Sequence, residues 1–273
     1  MVGSDAFKLN SIGNFEYFSI PAFDSAGKGN IFTFFSSRNG GVSRGPYSSF
    51  NLGTKKQDDI NNVEKNYEIL CSRMNLEIDS FVFSDQIHRD NVKRVGSQDA
   101  GFPLHGQKVF NTDALITDVR DLPLITFHAD CVPLYFFDPE NVAIGLAHAG
   151  WRGTVMRIGQ KMIREMVKEF GTRPGKLLVA IGPSIGRCCY EVGQDVFEPF
   201  LNEFGQYNSW YKKKKNKYML DLQECNRLQL LEMGVDSNNI YISNLCTSCD
   251  KKHFYSYRRD GKTGIHGAVI MIR

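Results

Sequence analysis

The chain has 273 residues, of which 42% are hydrophobic and 23% charged, and its formal net charge is +3. This composition is typical of a globular protein with a sizeable core, and the charge argues against an extended nucleic-acid-binding surface. The chain begins without a basic cluster followed by an apolar run, and no stretch approaches about 18 uninterrupted apolar residues. We therefore expect a cytoplasmic protein that binds neither membranes nor nucleic acid. A monomer is the default expectation, because no coiled-coil pattern is present.

Short apolar runs rich in β-branched and aromatic residues recur along the chain and predict buried strands. In chain order, the predicted strands are 31–35, 114–117, 122–127, 132–137, 142–147, 177–181 and 268–272.

Three helices are predicted between these strands. The apolar face of the first, which begins near residue 62, is formed by Val63, Tyr67, Leu70 and Met74. The second is expected to run from Thr154, a candidate cap, to Gly171, where it ends. The third begins near Asp221 and ends before Gly234. A lysine-rich run at 212–217 predicts a solvated loop or hairpin tip.

Strands outnumber helices in this pattern, and several consecutive strands have no helix between them. Such an order favours an α+β fold built from layers rather than a doubly wound sheet. We expect one domain spanning residues 1–273, with residues 1–14 peripheral.

Polar residues interrupt the buried runs at three strand ends. His88 closes an aromatic run, Cys131 lies between two predicted strands, and His148 ends a strand before Gly-Trp-Arg-Gly. Two imidazoles and a thiolate suit zinc, and three protein ligands leave one position open for water or substrate. A lone histidine is nevertheless more often a satisfied polar residue, and a lone cysteine a small core residue.

Other uses of these residue types remain open. The seven cysteines are odd in number and include an adjacent pair, so we expect free thiols rather than a disulfide framework. Cys246, Cys249 and His253 have the short spacing of a structural metal site. Cys131 beside a histidine would also suit a metal-free cysteine hydrolase.

Glycine-rich turns with neighbouring arginines offer candidate anion sites at 38–43, 182–186 and 258–264. Backbone N–H groups in such turns can face an anion, and the guanidinium fork suits phosphate. Neither the P-loop pattern nor G-x-G-x-x-G after a strand is present.

A series of motifs resembles the YfiH family, also called the laccase-domain, polyphenol oxidase or peptidoglycan-editing-factor family. The motifs occur in the family's order over about residues 31–271: RNGGVS, PYSSFNLG, QIH, NTDALIT, HADCVPL, AHAGWRGT, IGPSIGRCCYEVG and FYSYRRDGKTG. The resemblance implies a single-domain α-β-β-α layered sandwich with mixed sheets. It also implies a catalytic zinc on His88, Cys131 and His148, and copper could occupy such ligands in vitro.

The resemblance implies phosphorolysis of adenosine, inosine and S-methyl-5′-thioadenosine, and hydrolytic deamination of adenosine. Editing of peptidoglycan precursors is an alternative implied by one family name. A copper-dependent polyphenol oxidase is another, but six histidines without an H-x-H pair cannot supply a mononuclear and a trinuclear copper site. The expected partners are therefore small molecules, namely purine nucleosides and phosphate.

Candidate substrate- or phosphate-binding residues lie in or beside these motifs. They are Arg38, Arg44, Asn51, Gln86, Asp130, Arg152, Tyr190 and Arg258. Asp130, next to Cys131, could instead orient a metal ligand, or it could buttress a turn. Two departures from the family pattern concern the rim of the site: Arg89 replaces the glycine of Q-V-H-G, and Ile265 and His266 follow Gly264, where an arginine is often found.

Overall fold

The computed structural model describes residues 6–53 and 58–273, and within these ranges the chain forms fifteen strands and seven helices. The strands are β1 (Lys8–Ile12), β2 (Phe15–Ser19), β3 (Ile31–Ser36), β4 (Val82–Phe83), β5 (Val92–Arg94), β6 (Ala114–Thr117), β7 (Leu124–His128), β8 (Val132–Asp138), β9 (Ala143–Ala149), β10 (Leu178–Ile181), β11 (Glu191–Val192), β12 (Tyr211–Lys214), β13 (Lys217–Leu220), β14 (Ile240–Ile242) and β15 (His266–Ile272). The helices are α1 (Pro21–Ala26), α2 (Ile60–Met74), α3 (Trp151–Val155), α4 (Ile158–Phe170), α5 (Gln194–Phe204), α6 (Leu222–Glu232) and α7 (Tyr257–Asp260).

Two six-stranded sheets dominate the fold, with strand orders β1-β2-β3-β15-β7-β4 and β14-β10-β8-β9-β6-β5. Both sheets are mixed, because each contains parallel as well as antiparallel pairing. In the first sheet β4 runs parallel to β7. In the second sheet β5 runs parallel to β6, and β10 runs parallel to β14. A smaller sheet has the order β11-β13-β12. The α+β prediction with mixed sheets is confirmed.

The layers follow from alternate side chains pointing to opposite faces of each strand. In β3, Phe34 packs with α2 on the outer face of the first sheet, whereas Phe35 lies in the core between the two sheets. In β8, Tyr135 joins that inter-sheet core, and Leu134 packs with α4 on the far side. The order is therefore helix, sheet, sheet, helix, as expected for an α-β-β-α sandwich. A strand whose two faces are both buried has apolar residues at consecutive positions. This pattern is what allowed these strands to be predicted from the sequence.

All seven predicted strands are present, with ends within two residues of the prediction. The first and third predicted helices are confirmed as α2 and α6, capped by Asp59 and Asp221 side chains that accept hydrogen bonds from backbone amides. The prediction that Thr154 begins the second helix is wrong. Arg157 adopts a left-handed conformation (φ 63°) that separates α3 from α4, and α4 then ends at Gly171 as predicted.

The lysine-rich run agrees with its sequence pattern, whereas the peripheral position of residues 1–14 stays a prediction. The lysine-rich run forms the hairpin of β12 and β13, with Lys215 at its turn. Strand β1 lies at the edge of the first sheet, and residues 1–5 are outside the described part of the chain. None of the described helices is long and apolar enough to span a membrane.

The chain crosses from the first sheet to the second between β7 and β8, within residues 129–131. Asp130 has a positive φ of 85° in this crossing. Its carboxylate accepts hydrogen bonds from Thr247 Oγ1 (2.6 Å) and from the Arg258 amide (2.7 Å). These bonds fix the turn that carries Cys131, so Asp130 buttresses a turn, which is one of the roles considered for it.

Candidate metal centre and substrate cavity

Three of the predicted site residues meet where the two sheets are joined. Cys131 follows the crossing turn, and His148 lies near the end of β9. His88 belongs to the loop after β4 and has a φ of 58°, so the expectation that it closes a long strand is wrong. Donor atoms of the three side chains lie within 4.8 Å of one another, a spacing at which one ion could contact all of them.

Asp113 orients two of these three residues from a fully buried position. Its Oδ1 lies 2.9 Å from His148 Nδ1 and 3.0 Å from the His88 amide nitrogen. Oδ2 accepts hydrogen bonds from the amides of Ile87 and Arg89. Because an ionised carboxylate can only accept, Nδ1 of His148 must donate, and Nε2 is therefore the nitrogen of this ring that could bind a metal ion.

Sequence reasoning did not predict this role for Asp113. A signal was present, since a carboxylate immediately before a buried apolar run is costly unless it is paired. Burial raises the pKa of Asp113, but hydrogen bonds from His148 and from backbone amides outweigh it and hold the pKa below its usual value. The group is therefore ionised at neutral pH.

The Cys131 thiol, like the Asp113 carboxyl group, favours its ionised form at neutral pH. Burial raises its pKa, but His148 and His88 outweigh this effect and lower the pKa to about 6. The nearby thiolate and Asp113 in turn raise the pKa of His148 against its burial. A thiolate is the form in which cysteine binds metals and attacks substrates.

Gly150 lines the centre and leaves room for an ion. A Cβ at this position would lie 2.9 Å from His88 Nδ1 and 3.2 Å from Cys131 Sγ. A side chain there would therefore intrude on the donor atoms. Two imidazoles, one thiolate and a carboxylate bonded to one of the imidazoles fit a zinc site with an open position.

The three donor residues lie in the wall of a cavity of about 900 Å³. Asn51 and Gln86, two of the eight candidate substrate residues, also line it. Asn51 Oδ1 accepts hydrogen bonds from the Gly53 and Ile265 amides, while the Gln86 amide pairs with both backbone polar groups of Phe127. Both side chains are thus held in place by the wall itself.

The other six candidates lie outside the set of residues that line this cavity: Arg38, Arg44, Asp130, Arg152, Tyr190 and Arg258. Arg38 donates to the Ser48 carbonyl, and Arg258 donates to the Glu191 carbonyl and stacks on Tyr190. Arg152 stacks on Trp151, whereas Arg44 is exposed. Their direct contact with a substrate stays a prediction.

The turn at 182–186 does not offer its amides to an anion. The amide of Gly182 donates to Pro133, that of Ser184 to Leu245 and that of Ile185 to Asp130. The backbone groups that made this turn a candidate are used within the fold.

Several cavity residues were missed by sequence reasoning. Lys108 and Lys262 bring positive charge to the lining. The lining residues Tyr47, Ser84 and Thr263 have buried hydroxyls for which residues 6–53 and 58–273 provide no hydrogen-bond partner. Single lysines and hydroxyl residues are too common in sequences to be recognised without the cavity.

The residues that depart from the family pattern lie at different distances from the site. Arg89 donates its amide to Asp113, and Ile265 lines the cavity. His266 is buried in β15, where Nε2 accepts a hydrogen bond from the Tyr255 amide (2.8 Å). Arg89 and Ile265 therefore border the site, whereas His266 lies away from it.

Known proteins with similar sequences and structures cover nearly the whole chain. A family profile described as "Multi-copper polyphenol oxidoreductase laccase" matches residues 32–273. "Purine nucleoside phosphorylase YlmD" of Bacillus subtilis (strain 168) is 38% identical over 241 residues, 84% of each chain. "Purine nucleoside phosphorylase" of Bacteroides thetaiotaomicron is 37% identical over 253 residues, 89% of this chain and 92% of the relative.

Two solved structures are similar to this chain over nearly its whole length. The crystal structure of YlmD from Geobacillus stearothermophilus has a TM-score of 0.92 at 34% identity, covering 99% of this chain and 100% of that chain. The Bacillus licheniformis hypothetical protein YfiH has a TM-score of 0.91 at 33% identity, with the same coverage. The chain belongs to the multi-copper polyphenol oxidoreductase laccase family, also called the YfiH family.

Proposed function

We propose that this chain is a zinc-dependent purine nucleoside phosphorylase acting on adenosine, inosine and S-methyl-5′-thioadenosine, and that it also deaminates adenosine. The observation that carries the proposal is the convergence of His88, Cys131 and His148 at the wall of a cavity of about 900 Å³. A cavity of this volume is of the size that takes up small molecules. The names of the relatives supply the substrate class.

The proposed zinc ligands are Nε2 of His148, the Cys131 thiolate and an imidazole nitrogen of His88. When bound, zinc supplies a Lewis acid at the cavity wall. Asp113 fixes the tautomer and ring orientation of His148 through the 2.9 Å hydrogen bond. Cys131 enters the site already favouring its thiolate. His148, whose pKa is raised to about 9, would release its Nε2 proton when the metal binds.

The remaining lining suits a nucleoside and phosphate. Lys108 and Lys262 would attract phosphate by charge. Tyr47, Ser84 and Thr263 also contribute to the cavity wall. Phe127 and Ile265 provide apolar surface for the purine ring. These contacts would replace Arg38, Arg44 and Arg258 as the principal phosphate-binding groups.

The two proposed reactions make different demands on substrate orientation. The amino group lost in deamination is on C6, whereas phosphorolysis breaks the bond at C1′, at the opposite end of adenosine. A single centre cannot face both atoms in one pose. Either the nucleoside binds in two orientations, or the metal acts directly in only one of the two reactions.

The test is to incubate metal-analysed protein with adenosine, with and without phosphate, and to separate adenine, inosine and hypoxanthine by chromatography. Phosphate-dependent adenine and phosphate-independent inosine are expected from the wild type. Both products should disappear in Cys131→Ala and His148→Ala together with bound zinc. Cys71→Ala and the exposed His105→Ala are matched controls that should retain both. Absence of nucleoside turnover by zinc-loaded wild type would refute the proposal.

A copper oxidase is less well supported by the site. All six histidines lie in the described residues, which offer only two groups of three or more candidate ligands. One is the His88 centre and the other contains cysteines alone. His266 and His253 are engaged elsewhere, by the Tyr255 amide and by Asp250. Oxygen uptake by zinc-only protein at the rate of nucleoside turnover would revive this function.

Two further alternatives have separate tests. A metal-free cysteine hydrolase is favoured by the lowered pKa of Cys131, and it predicts inhibition by thiol alkylation but indifference to chelators. Binding of a peptidoglycan precursor predicts heat in calorimetry with a UDP-muramoyl peptide. The proposed phosphorylase instead predicts loss of activity on chelation and its return with zinc.

A further inference from the structure

A second group of possible metal ligands lies outside the cavity and consists of four cysteines from two distant loops. Cys188 and Cys189 follow β10, while Cys246 and Cys249 follow β14. Cys249 Sγ lies 3.4 Å from Cys188 Sγ and 3.3 Å from Cys189 Sγ. All four sulfur atoms are within 4.8 Å of one another.

These distances suit four ligands of one ion. Zinc–sulfur bonds of about 2.3 Å in a tetrahedron place neighbouring sulfur atoms about 3.8 Å apart. A disulfide would require about 2.05 Å and would join only two of the four. Iron–sulfur clusters bind their cysteines through separate iron atoms and need wider spacing. We propose that Cys188, Cys189, Cys246 and Cys249 bind a structural zinc ion.

The composition of the group differs from the sequence-based alternative of Cys246, Cys249 and His253. Nδ1 of His253 lies 2.7 Å from Asp250 Oδ2, and the ring stays outside the cysteine group. The adjacent Cys188 and Cys189 provide the remaining donors instead. Because Cys188 and Cys189 are far from Cys246 in the sequence, the group of four cysteines could not be predicted from spacing.

The backbone at Gly186 is shaped to fit the sulfur atoms. Its amide donates a hydrogen bond to Cys246 Sγ (3.2 Å). A Cβ on Gly186 would lie 3.2 Å from the Cys246 Cβ and 3.3 Å from Cys188 Sγ, tighter than most real contacts. Amide hydrogen bonds to thiolates are among the interactions that orient and tune metal ligands.

The chemistry of four neighbouring thiols also favours a bound dication. A dication offsets the repulsion between thiolates and drives their deprotonation.

The proposed zinc would join two loops that support the cavity wall. Between Cys246 and Cys249, Thr247 Oγ1 donates to Asp130, which precedes Cys131. Arg259 donates to the carbonyls of Thr247 and Ser248. The ion would therefore stabilise the crossing turn from outside, whichever reaction takes place in the cavity.

The test measures metal rather than turnover. We expect two zinc ions per chain in the full-length wild type purified under reducing conditions, and one in the Cys246→Ser/Cys249→Ser double variant. Cys71→Ala and Cys225→Ala should keep two. Replacement of zinc by cobalt should give the intense visible and sulfur-to-metal charge-transfer bands of a tetrathiolate site, and the double variant should lose them.

A variant that leaves the four cysteines intact keeps the test decisive if the double variant does not fold. His148→Ala should retain one zinc, and X-ray absorption should show four sulfur neighbours at about 2.3 Å. Absence of zinc from this variant, or a disulfide within the group in its place, would overturn the proposal. A wild type with one zinc and four sulfur neighbours would support this site and contradict the His88 centre, so the two proposals can fail separately.

Discussion

Nδ1 of His148 donates a hydrogen bond to Oδ1 of Asp113 across 2.9 Å, and the same oxygen accepts one from the backbone amide of His88. One buried carboxylate thus positions two proposed zinc ligands that are 60 residues apart in sequence. The His148 side chain is 3% exposed and that of Asp113 0%. With so little water at the pair, the hydrogen bond controls the tautomer of the imidazole.

Asp113→Asn should weaken zinc binding by about 10–100-fold, because the neutral amide no longer fixes His148 with Nε2 free. The measurement is a competition titration with a chromophoric chelator. Asp118→Asn is the control, since that carboxylate pairs with Arg94 at the exposed surface. Equal affinities in wild type and Asp113→Asn would show that Asp113 serves the fold alone.

Gly150→Ala should lose zinc and nucleoside turnover while retaining the fold. The backbone at Gly150 (φ −68°, ψ 173°) is open to alanine, so the conflict is confined to His88 Nδ1 and Cys131 Sγ. Metal analysis, circular dichroism and the adenosine assay would be compared with those of Gly175→Ala. A Cβ at Gly175 has only one neighbour within 4 Å, at 3.7 Å. Full zinc content in Gly150→Ala would contradict the assigned geometry.

Lys262→Met and Lys108→Met should each raise the KM for phosphate about fivefold, with a smaller effect on kcat, because one positive charge is lost beside the proposed phosphate site. The effect should shrink at high ionic strength. Lys215→Met, at the hairpin turn between β12 and β13, is the charge-matched control. An unchanged KM for phosphate in both cavity variants would contradict the role of the lysines and would favour the candidate arginines as the phosphate-binding residues.

His266 should make the native state less stable in acid. Burial lowers its pKa from 6.5 to about 3, and protonation would break the hydrogen bond that Nε2 accepts from the Tyr255 amide. Between these values the unfolded chain binds the proton and the native protein does not. The contribution of His266 to the free energy of unfolding is therefore complete above about pH 6.5. As the pH falls below that value, this contribution decreases by about 1.4 kcal/mol per pH unit.

Urea unfolding of wild type and His266→Gln between pH 4 and about 6.5 would measure this slope. The variant should show the smaller slope, and the difference between the two proteins cancels contributions from other groups, including buried His128. His105→Gln, at an exposed position, should match the wild type. Parallel pH profiles for wild type and His266→Gln would exclude the proposed titration.

The sequence alone predicted seven of the fifteen described strands and nominated the proposed zinc ligands. Runs such as 132–137 are apolar at every position because both faces of the strand are covered, and that pattern is local. His88, Cys131 and His148 stood out because polar residues at the ends of such runs need a reason. The motif resemblance added the α-β-β-α layering that the structure confirms.

Tertiary structure decided everything that depends on residues distant in sequence. Asp113 became a positioning residue only when β6 and β9 were paired, and Cys188 joined Cys249 only when two loops met. Arg157 broke a helix whose apolar periodicity continued through the break. Periodicity reports which face of an element is covered, whereas the partner of a polar side chain is set by how the layers pack. For that reason the sequence determined which apolar runs form buried strands and which residues were candidate donors, and only the fold decided what orients those donors and which cysteines lie together.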